Sequence, residues 1–259
     1  MGWILTLNSL KKIFLQEDIL PLGKFESLPV SSIFGGRDVD YPNVIKLRDD
    51  IDFNTLYTES LHHINLIGAS YVKDRMEYLP KNINEETLRS VLGGVGFYKG
   101  SYQSFSLRKL GTSELEDWIE PCTRQLIETL GVNTFRQQYA VAYGGWNTKL
   151  HRDHENFLTH GFRLMVPLSS DVYMGYEDEF GNPLIYRLDR GGMYFVNIAK
   201  MHRGFNESLS DDRINLIMQM DSDILLKDKE KMTPLSNKEI SKLPTYALNY
   251  DIWDFGYEL

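Results

Sequence analysis

The pattern of hydrophobic and polar positions changes character once along the chain, near Phe135. Before that point apolar residues recur mainly at helical spacing, and after it they form short runs separated by turn residues. In the first half, Val44–Leu47 predicts a short strand. The helix predicted after this strand is marked by the apolar residues Phe53, Leu56, Leu61 and Ile64.

Two further helices are predicted in the first half. One begins near Asn84 and is stopped by the pair Gly93–Gly94. The other opens with a capping signal at residues 112–113 and closes at Gly131, with Pro121 as a bend within it. The first half is therefore expected to be an α/β portion that precedes a different kind of structure.

The second half is expected to be built from short strands. Runs of six to nine residues alternate with turns rich in Gly, Asn, Asp and Pro, which is typical of an antiparallel sandwich or jelly roll. The fold class predicted is mainly β with added helices: a double-stranded β-helix core, cupin-like, after an N-terminal α/β portion. The segment HRGFNES is expected to be a polar loop. The predicted strands are FRQQYAVAY, GFRLMVPLS, VYMGYE, PLIYRLD, MYFVNI and RINLIMQM.

Composition narrows the class of protein without identifying it. Apolar residues make up 42% and charged residues 25% of the 259 residues, as in ordinary soluble domains. The 28 basic and 36 acidic residues give a net charge of −8, which argues against a nucleic-acid partner. One cysteine, Cys122, cannot form an internal disulfide and fits a reducing compartment. The apolar stretch at the start is too short to span a bilayer, so we expect a cytoplasmic protein with no membrane partner.

The segment HRDHEN, residues 151–156, contains the triplet that opens a protein-kinase catalytic loop. A kinase requires an Asn five residues after the Asp, and that position is Leu158. A DFG triplet also occurs, but it begins at Asp254, too close to the end of the sequence for an activation loop. The spacing therefore excludes a kinase.

The same segment suits a metal site instead. On an extended segment the side chains of His151 and Asp153 point to the same side, because alternate residues share a face. His202 on a neighbouring strand can complete a set of two imidazoles and one carboxylate, which suits Fe(II) and leaves positions open for ligands. Arg213, eleven residues after His202, can bind a carboxylate of a molecule that also chelates the metal.

These residues carry a family resemblance. The order HRD, distal His and then Arg on predicted jelly-roll strands resembles the 2-oxoglutarate and Fe(II) dependent dioxygenases. Within them, HGFRLMVPLSS and GGMYFVNIAKMHRGFNESLSDDRINLIMQM are similar to the aspartyl/asparaginyl β-hydroxylase-like group, which includes hydroxylases of free L-proline. The resemblance covers roughly residues 141–221. It departs at Met165, where the group often has a histidine.

The resemblance implies the roles of the site residues. His151, Asp153 and His202 would be the iron ligands, Arg213 would bind the far carboxylate of 2-oxoglutarate, and Arg163 would lie near co-substrate or substrate. The implied activity is hydroxylation of a small molecule with O2 and with decarboxylation of 2-oxoglutarate to succinate. The candidate substrate contacts are Arg152, Tyr143, Trp146, His160 and Asn206.

A single catalytic domain over residues 1–259 is expected. Residues 1–134 would support a jelly-roll core at 135–221, and residues 222–259 would form a tail that acts as a lid or strap. In that tail the aromatic residues Trp253, Phe255 and Tyr257 alternate as in a strand.

Several alternatives stay open. The favoured substrate is a proline-type free amino acid, and the runner-up is a peptidyl Asp or Asn residue or another small metabolite. A non-catalytic cupin-type binding protein is one alternative of a different class. Another is a zinc hydrolase that uses His151 and Asp153 with His154 or His160. His62 and His63, on the first helix, are expected to be structural, and the sequence does not indicate an oligomeric state.

Overall fold

The computed structural model describes residues 41–64, 102–109, 114–132, 134–148, 150–151, 162–220 and 223–248. Within these ranges the chain forms nine strands, and all seven strand pairings are antiparallel. The strands are β1 (Val44–Arg48), β2 (Tyr102–Ser106), β3 (Thr134–Ala142), β4 (Phe162–Pro167), β5 (Val172–Glu177), β6 (Pro183–Leu188), β7 (Met193–Val196), β8 (His202–Phe205) and β9 (Arg213–Met220).

The strands form two sheets. The larger has six strands in the order β1-β7-β4-β9-β3-β2, and the smaller has three in the order β6-β5-β8. Helical segments are few within the described residues. They are α1 at 53–64, α2 at Pro121–Thr129, a 3-10 turn at Ile224–Leu226, α3 at Asn237–Ile240 and α4 at Thr245–Leu248.

The two sheets face each other across a shared apolar layer, called here the interior cluster. It draws side chains from both sheets, which therefore pack face to face. This arrangement confirms the predicted mainly β, jelly-roll type of fold. The larger contributors to the interior cluster are Val44, Met165, Tyr194 and Ile217 from the large sheet and Met174, Tyr176 and Tyr186 from the small one.

The other face of the large sheet packs against helices α1 and α2, and this layer is called the outer cluster. Leu216 and Met218 of β9 lie in it with Leu56 of α1 and Leu126 of α2. Both faces of β9 are thus covered, which explains why its sequence RINLIMQM is buried at all eight positions.

Residues 223–232 run beside β1 of the large sheet, and residues 235–248 lie against the outside of the small sheet. Leu235, Ile240, Leu243 and Leu248 pack on Tyr173, Ile185 and Phe205. The backbone N–H of Met232 also donates to the carbonyl of Val44, 3.0 Å away. Residues 235–248 therefore cover the face of the small sheet opposite the interior cluster.

Two predictions about elements were wrong. The helix expected from residues 112–113 begins only at Pro121, because proline lacks an N–H, fits the first helical position and starts the helix. Residues 202–205 of the expected loop HRGFNES form β8, which pairs with β5. The predicted helix near Asn84 and the alternation at Trp253, Phe255 and Tyr257 lie outside the described residues.

None of the helices in the described part of the chain combines the length and apolar character needed to cross a bilayer.

Candidate metal and co-substrate site

Two of the three predicted iron ligands lie side by side. His151 and His202 form an antiparallel bridge, in which each backbone N–H donates to the other's carbonyl at 2.8 and 2.7 Å. Their ring centroids are 4.6 Å apart. His151 is exposed and His202 is buried, so the pair lies where the interior meets the surface.

Hydrogen bonding defines how the His202 ring is oriented. Its Nδ1 is 2.9 Å from the carbonyl oxygen of Lys200, which can only accept, so Nδ1 carries the proton. The lone pair is then on Nε2. An imidazole that donates one N–H to a backbone carbonyl and presents its other nitrogen is the usual arrangement of a metal-ligating histidine.

The strand pairing places His202 on the interior side of the small sheet. His202 is paired with Tyr176 and Gly204 is paired with Met174, and directly paired residues share a face. Tyr176 and Met174 both belong to the interior cluster. The ring of His202 therefore faces the space between the two sheets.

Arg213 lies at the start of β9 and is buried. Its side chain donates to the backbone carbonyl of Phe205, and its guanidinium carbon is 4.8 Å from the centre of the Trp146 ring. Its Nε has no hydrogen-bond partner, and among the described residues no carboxylate pairs with it. Burial lowers the pKa of Arg213 to about 10. A buried cation of this kind is costly unless an anion binds to it.

Trp146 connects Arg213 to the strand that carries His202. The indole stacks on Tyr102, with ring centroids 5.2 Å apart, and lies against Gly204. A Cβ at Gly204 would be 2.8 Å from Cη2 of Trp146, so only glycine allows this approach without displacing the ring. Arg213, Trp146 and β8 thus form one contiguous arrangement.

Asn215 was not predicted from the sequence. It follows Arg213 on the same face of β9 and is buried, and neither its Nδ2 nor its Oδ1 has a hydrogen-bond partner. Buried amides are normally satisfied, so this one has the capacity to bind a polar molecule in the interior. The sequence does indicate it, because Asn215 is a polar residue within a hydrophobic strand, two residues after Arg213.

Arg163 lies at a distance from Arg213. It is paired with Gln219 on β9, six residues along the strand, or about 20 Å at about 3.3 Å per residue. Both arginines are on the interior face, since Arg163 alternates with Leu164 of the outer cluster and Arg213 with Ile214. They are too far apart to bind the same carboxylate group.

Two other predicted residues are used by the fold. Tyr143 packs in the outer cluster, on the face of the large sheet opposite Arg213, and burial raises its pKa to about 12. Asn206 donates to the carbonyls of Ala142 and Asp211, at 3.2 and 2.7 Å, and thereby fixes the turn before β9. The remaining predicted site residues, Arg152, Asp153 and His160, lie outside the described residues, as does His154.

A different set of metal-type ligands lies elsewhere among the described residues. His62, His63 and Glu120 each offer a ligand atom, and these atoms all lie within 4.8 Å of one another. This group belongs to the α1 and α2 side of the large sheet.

Comparisons with known proteins found distant likenesses to solved structures. No family model matches the chain, and no curated protein matches it. An oxidoreductase of the 2OG-Fe(II) oxygenase family from Burkholderia pseudomallei is similar at 13% identity, over 46% of this chain and 66% of that one, with a TM-score of 0.35. A prolyl-4-hydroxylase from Pseudomonas putida is similar at 9% identity, over 74% of this chain and 98% of that one, with a TM-score of 0.40. A cupin domain from Bordetella pertussis is similar at 17% identity, over 34% of this chain and 82% of that one, with a TM-score of 0.26. These likenesses are too distant to indicate an activity.

Proposed function

We propose that this protein is a 2-oxoglutarate-dependent, non-haem Fe(II) dioxygenase that hydroxylates a small amino acid or amino-acid-like molecule. A proline-type free amino acid is the favoured substrate. One observation carries the proposal: Arg213 is a buried cation without a carboxylate partner among the described residues, beside the strand that carries His202. A dicarboxylate that reaches from Arg213 toward a metal at His202 would explain both this buried cation, which has no described carboxylate partner, and its position beside this strand.

The donor set fits Fe(II). His151 and His202 would supply two imidazole ligands, and the hydrogen bond from His202 to Lys200 presents the Nε2 lone pair. Asp153, two residues after His151, is the proposed carboxylate ligand. Two imidazoles and one carboxylate are the donor set of non-haem Fe(II) oxygenases, and they leave positions for a bidentate co-substrate and O2.

The bound iron and 2-oxoglutarate supply the oxidation, in which substrate C–H, 2-oxoglutarate and O2 become substrate C–OH, succinate and carbon dioxide. The chain's own residues bind and orient the reactants. Arg213 would form a salt bridge with the far carboxylate of 2-oxoglutarate, Trp146 holds the guanidinium plane, and Asn215 would donate to a bound oxygen. The apolar side chains of the interior cluster exclude water around them.

The substrate would bind at the other end of the interior. Arg163, on β4, is paired with Gln219, which lies about 20 Å along β9 from Arg213. Arg163 is therefore a candidate for the substrate's carboxylate rather than for the far carboxylate of the co-substrate. Arg152 and His160 remain proposed substrate contacts. A peptidyl Asp or Asn, or another small metabolite, is the alternative substrate.

Arg213 also separates this proposal from the other classes. A zinc hydrolase that uses His151, Asp153 and His154 or His160 has no use for a buried cation that binds a dicarboxylate. A non-catalytic cupin-type protein would bind a ligand without turnover. Loss of Arg213 should therefore be harmless in a hydrolase and severe in an oxygenase.

Turnover provides the test. The iron-loaded protein would be given 2-oxoglutarate, O2 and a panel of free amino acids and short Asp- or Asn-containing peptides, and succinate would be measured. We expect a proline-type amino acid to stimulate succinate release and to gain one oxygen atom. Arg213→Gln should abolish the stimulation, whereas Arg187→Gln, at a surface arginine paired with Asp189, should not. Stimulation by none of the compounds, or full activity of Arg213→Gln, would contradict the proposal.

A further inference from the structure

A second group of potential metal ligands lies where helix α1 meets the start of helix α2. His62 and His63 are at the described end of α1, and Glu120 directly precedes α2. One ligand atom from each lies within 4.8 Å of the other two. Nδ1 of His62 contacts Oε1 of Glu120 directly.

This group is separate from the His151 and His202 pair. The His63 ring is 5.8 Å from the ring of Tyr139, which belongs to the outer cluster. The next residue of β3, Ala140, belongs to the interior cluster. The large sheet therefore stands between the two pairs of histidines, and one metal ion cannot use both.

His63 provides an independent sign that a ligand belongs here. It is fully buried, and its Nε2 lies 3.2 Å from the carbonyl oxygen of Trp118, which fixes Nε2 as the protonated nitrogen. Nδ1 then carries the lone pair, and this atom is buried without a hydrogen-bond partner. An unsatisfied buried acceptor destabilises a fold, and a metal ion would satisfy it.

An ion pair between His62 and Glu120 explains only part of the arrangement. It accounts for the contact of those two side chains but leaves Nδ1 of His63 unsatisfied. A bound cation accounts for all three, and the hydrogen bond from His63 to the Trp118 carbonyl is the outer contact that metal-ligating histidines make.

We propose that His62, His63 and Glu120 form a divalent-cation site of the zinc class that joins α1 to α2. Two imidazoles and one carboxylate suit Zn²⁺, with bonds of about 2.0–2.2 Å and water in the fourth position. His62 and Glu120 are partly exposed, so water and the ion can reach them. The bound ion would draw these donor atoms, which already lie within 4.8 Å of one another, to the closer spacing of a tetrahedral site. The role is structural and does not depend on the proposed oxygenase activity.

The neighbouring contacts show what the ion would stabilise. The buried carboxylate of Glu59, on α1, accepts from the backbone N–H groups of Cys122 and Thr123 at the start of α2, at 2.9 and 2.7 Å. The proposed site lies beside this junction. Binding of the ion should therefore raise the thermal stability of the folded chain.

The test counts bound metal. Metal-free protein would be dialysed against micromolar Zn²⁺, and bound zinc per chain would be measured for the wild type, Glu120→Gln, His62→Asn and the control Glu128→Gln, which lies at the far end of α2. We expect Glu120→Gln and His62→Asn each to bind about one zinc fewer per chain than the wild type and the control. Equal zinc contents in the wild type and both site variants would overturn the proposal.

Co²⁺ and melting temperature give a second readout. In the wild type Co²⁺ should give the intense visible absorption of four-coordinate cobalt, and Glu120→Gln should lack it. Zn²⁺ should raise the melting temperature of the wild type and of Glu128→Gln more than that of Glu120→Gln. Absence of the four-coordinate spectrum in the wild type would contradict the site. Glu120→Gln should still release succinate in the turnover assay, which keeps this test separate from the proposed function.

Discussion

The two faces of strand β9 are equally buried but chemically different. The face toward α1 and α2 carries Ile214, Leu216, Met218 and Met220, whereas the interior face carries Arg213, Asn215, Ile217 and Gln219. Burial of apolar side chains stabilises the fold, but burial of an arginine and an unsatisfied amide opposes it. The difference teaches that one face of this strand stabilises the structure, whereas the other carries the polar groups for which we propose a binding role.

The largest effect on binding should follow from removing the cation of the interior face. We expect Arg213→Met to weaken 2-oxoglutarate binding by about 30-fold or more, because removing one partner of a buried charge pair costs about 2–5 kcal/mol. The melting temperature should not fall, since the substitution removes a buried charge that has no described carboxylate partner. Calorimetric titration and thermal unfolding measure the two quantities. A destabilised protein with unchanged affinity for 2-oxoglutarate would contradict this and would show that Arg213 has a structural role.

A substitution on the opposite face of β9, toward α1 and α2, should lower stability and leave 2-oxoglutarate binding unchanged. Leu216 is completely buried in the outer cluster, so Leu216→Ala should lower the free energy of unfolding by about 2–5 kcal/mol. The affinity of the folded protein for 2-oxoglutarate should stay within about twofold of the wild type, because the side chain points away from the interior. Denaturant unfolding and titration below the melting temperature test this. A large loss of affinity in the folded protein would show that the two faces are not independent.

Asn215 offers a smaller test of the same contrast. Asn215→Leu replaces an unsatisfied amide by an apolar group of similar size, so the protein should gain about 1–3 kcal/mol in stability. Binding of co-substrate or substrate should weaken several-fold, because the interior loses the unsatisfied Asn215 amide. If stability fell and binding were unchanged, the amide would have a structural partner in the native protein.

The smallest expected effect concerns Gly204. An added methyl group would lie 2.8 Å from Cη2 of Trp146 and 3.0 Å from its Cζ3, so Gly204→Ala should displace the indole beneath Arg213. We expect a loss of 2-oxoglutarate affinity of a few-fold. The double variant Gly204→Ala with Trp146→Phe should regain part of this affinity, because the smaller phenyl ring leaves room for the added methyl group. No recovery, or a larger loss than in Arg213→Met, would contradict this account of the Trp146 contact.

Much of the fold could be predicted because hydrophobic runs report burial directly. Continuous apolar segments such as LMVP and MYFV correspond to strands of the large sheet, which is covered on both faces. Strand β8 escaped prediction because three of its four residues, His202, Arg203 and Gly204, are polar or small. His202 faces the interior, and Arg203 hydrogen-bonds to Asn147 and packs over Phe205. Tertiary contacts, rather than local propensity, define this strand.

The candidate site was predictable by type but not by position. His151, His202 and Arg213 could be selected because their chemistry and order suit a metal and a carboxylate. The sequence could not give the strand register, which separates Arg163 from Arg213 and turns Tyr143 to the outer cluster. The group of His63 and Glu120 could not be found either, because its members are 57 positions apart and meet only through helix packing.

The most direct test of the central claim is optical and anaerobic. Fe(II) and then 2-oxoglutarate would be added to metal-free protein, and the visible charge-transfer band of the iron chelate would be recorded. The same measurement would be made on Asp153→Ala, Arg213→Met and the surface control Arg187→Gln. We expect the band in the wild type and the control, and a weak or absent band in the other two. No band in the wild type, with neither iron nor 2-oxoglutarate bound, would contradict the oxygenase account and favour a binding protein or hydrolase.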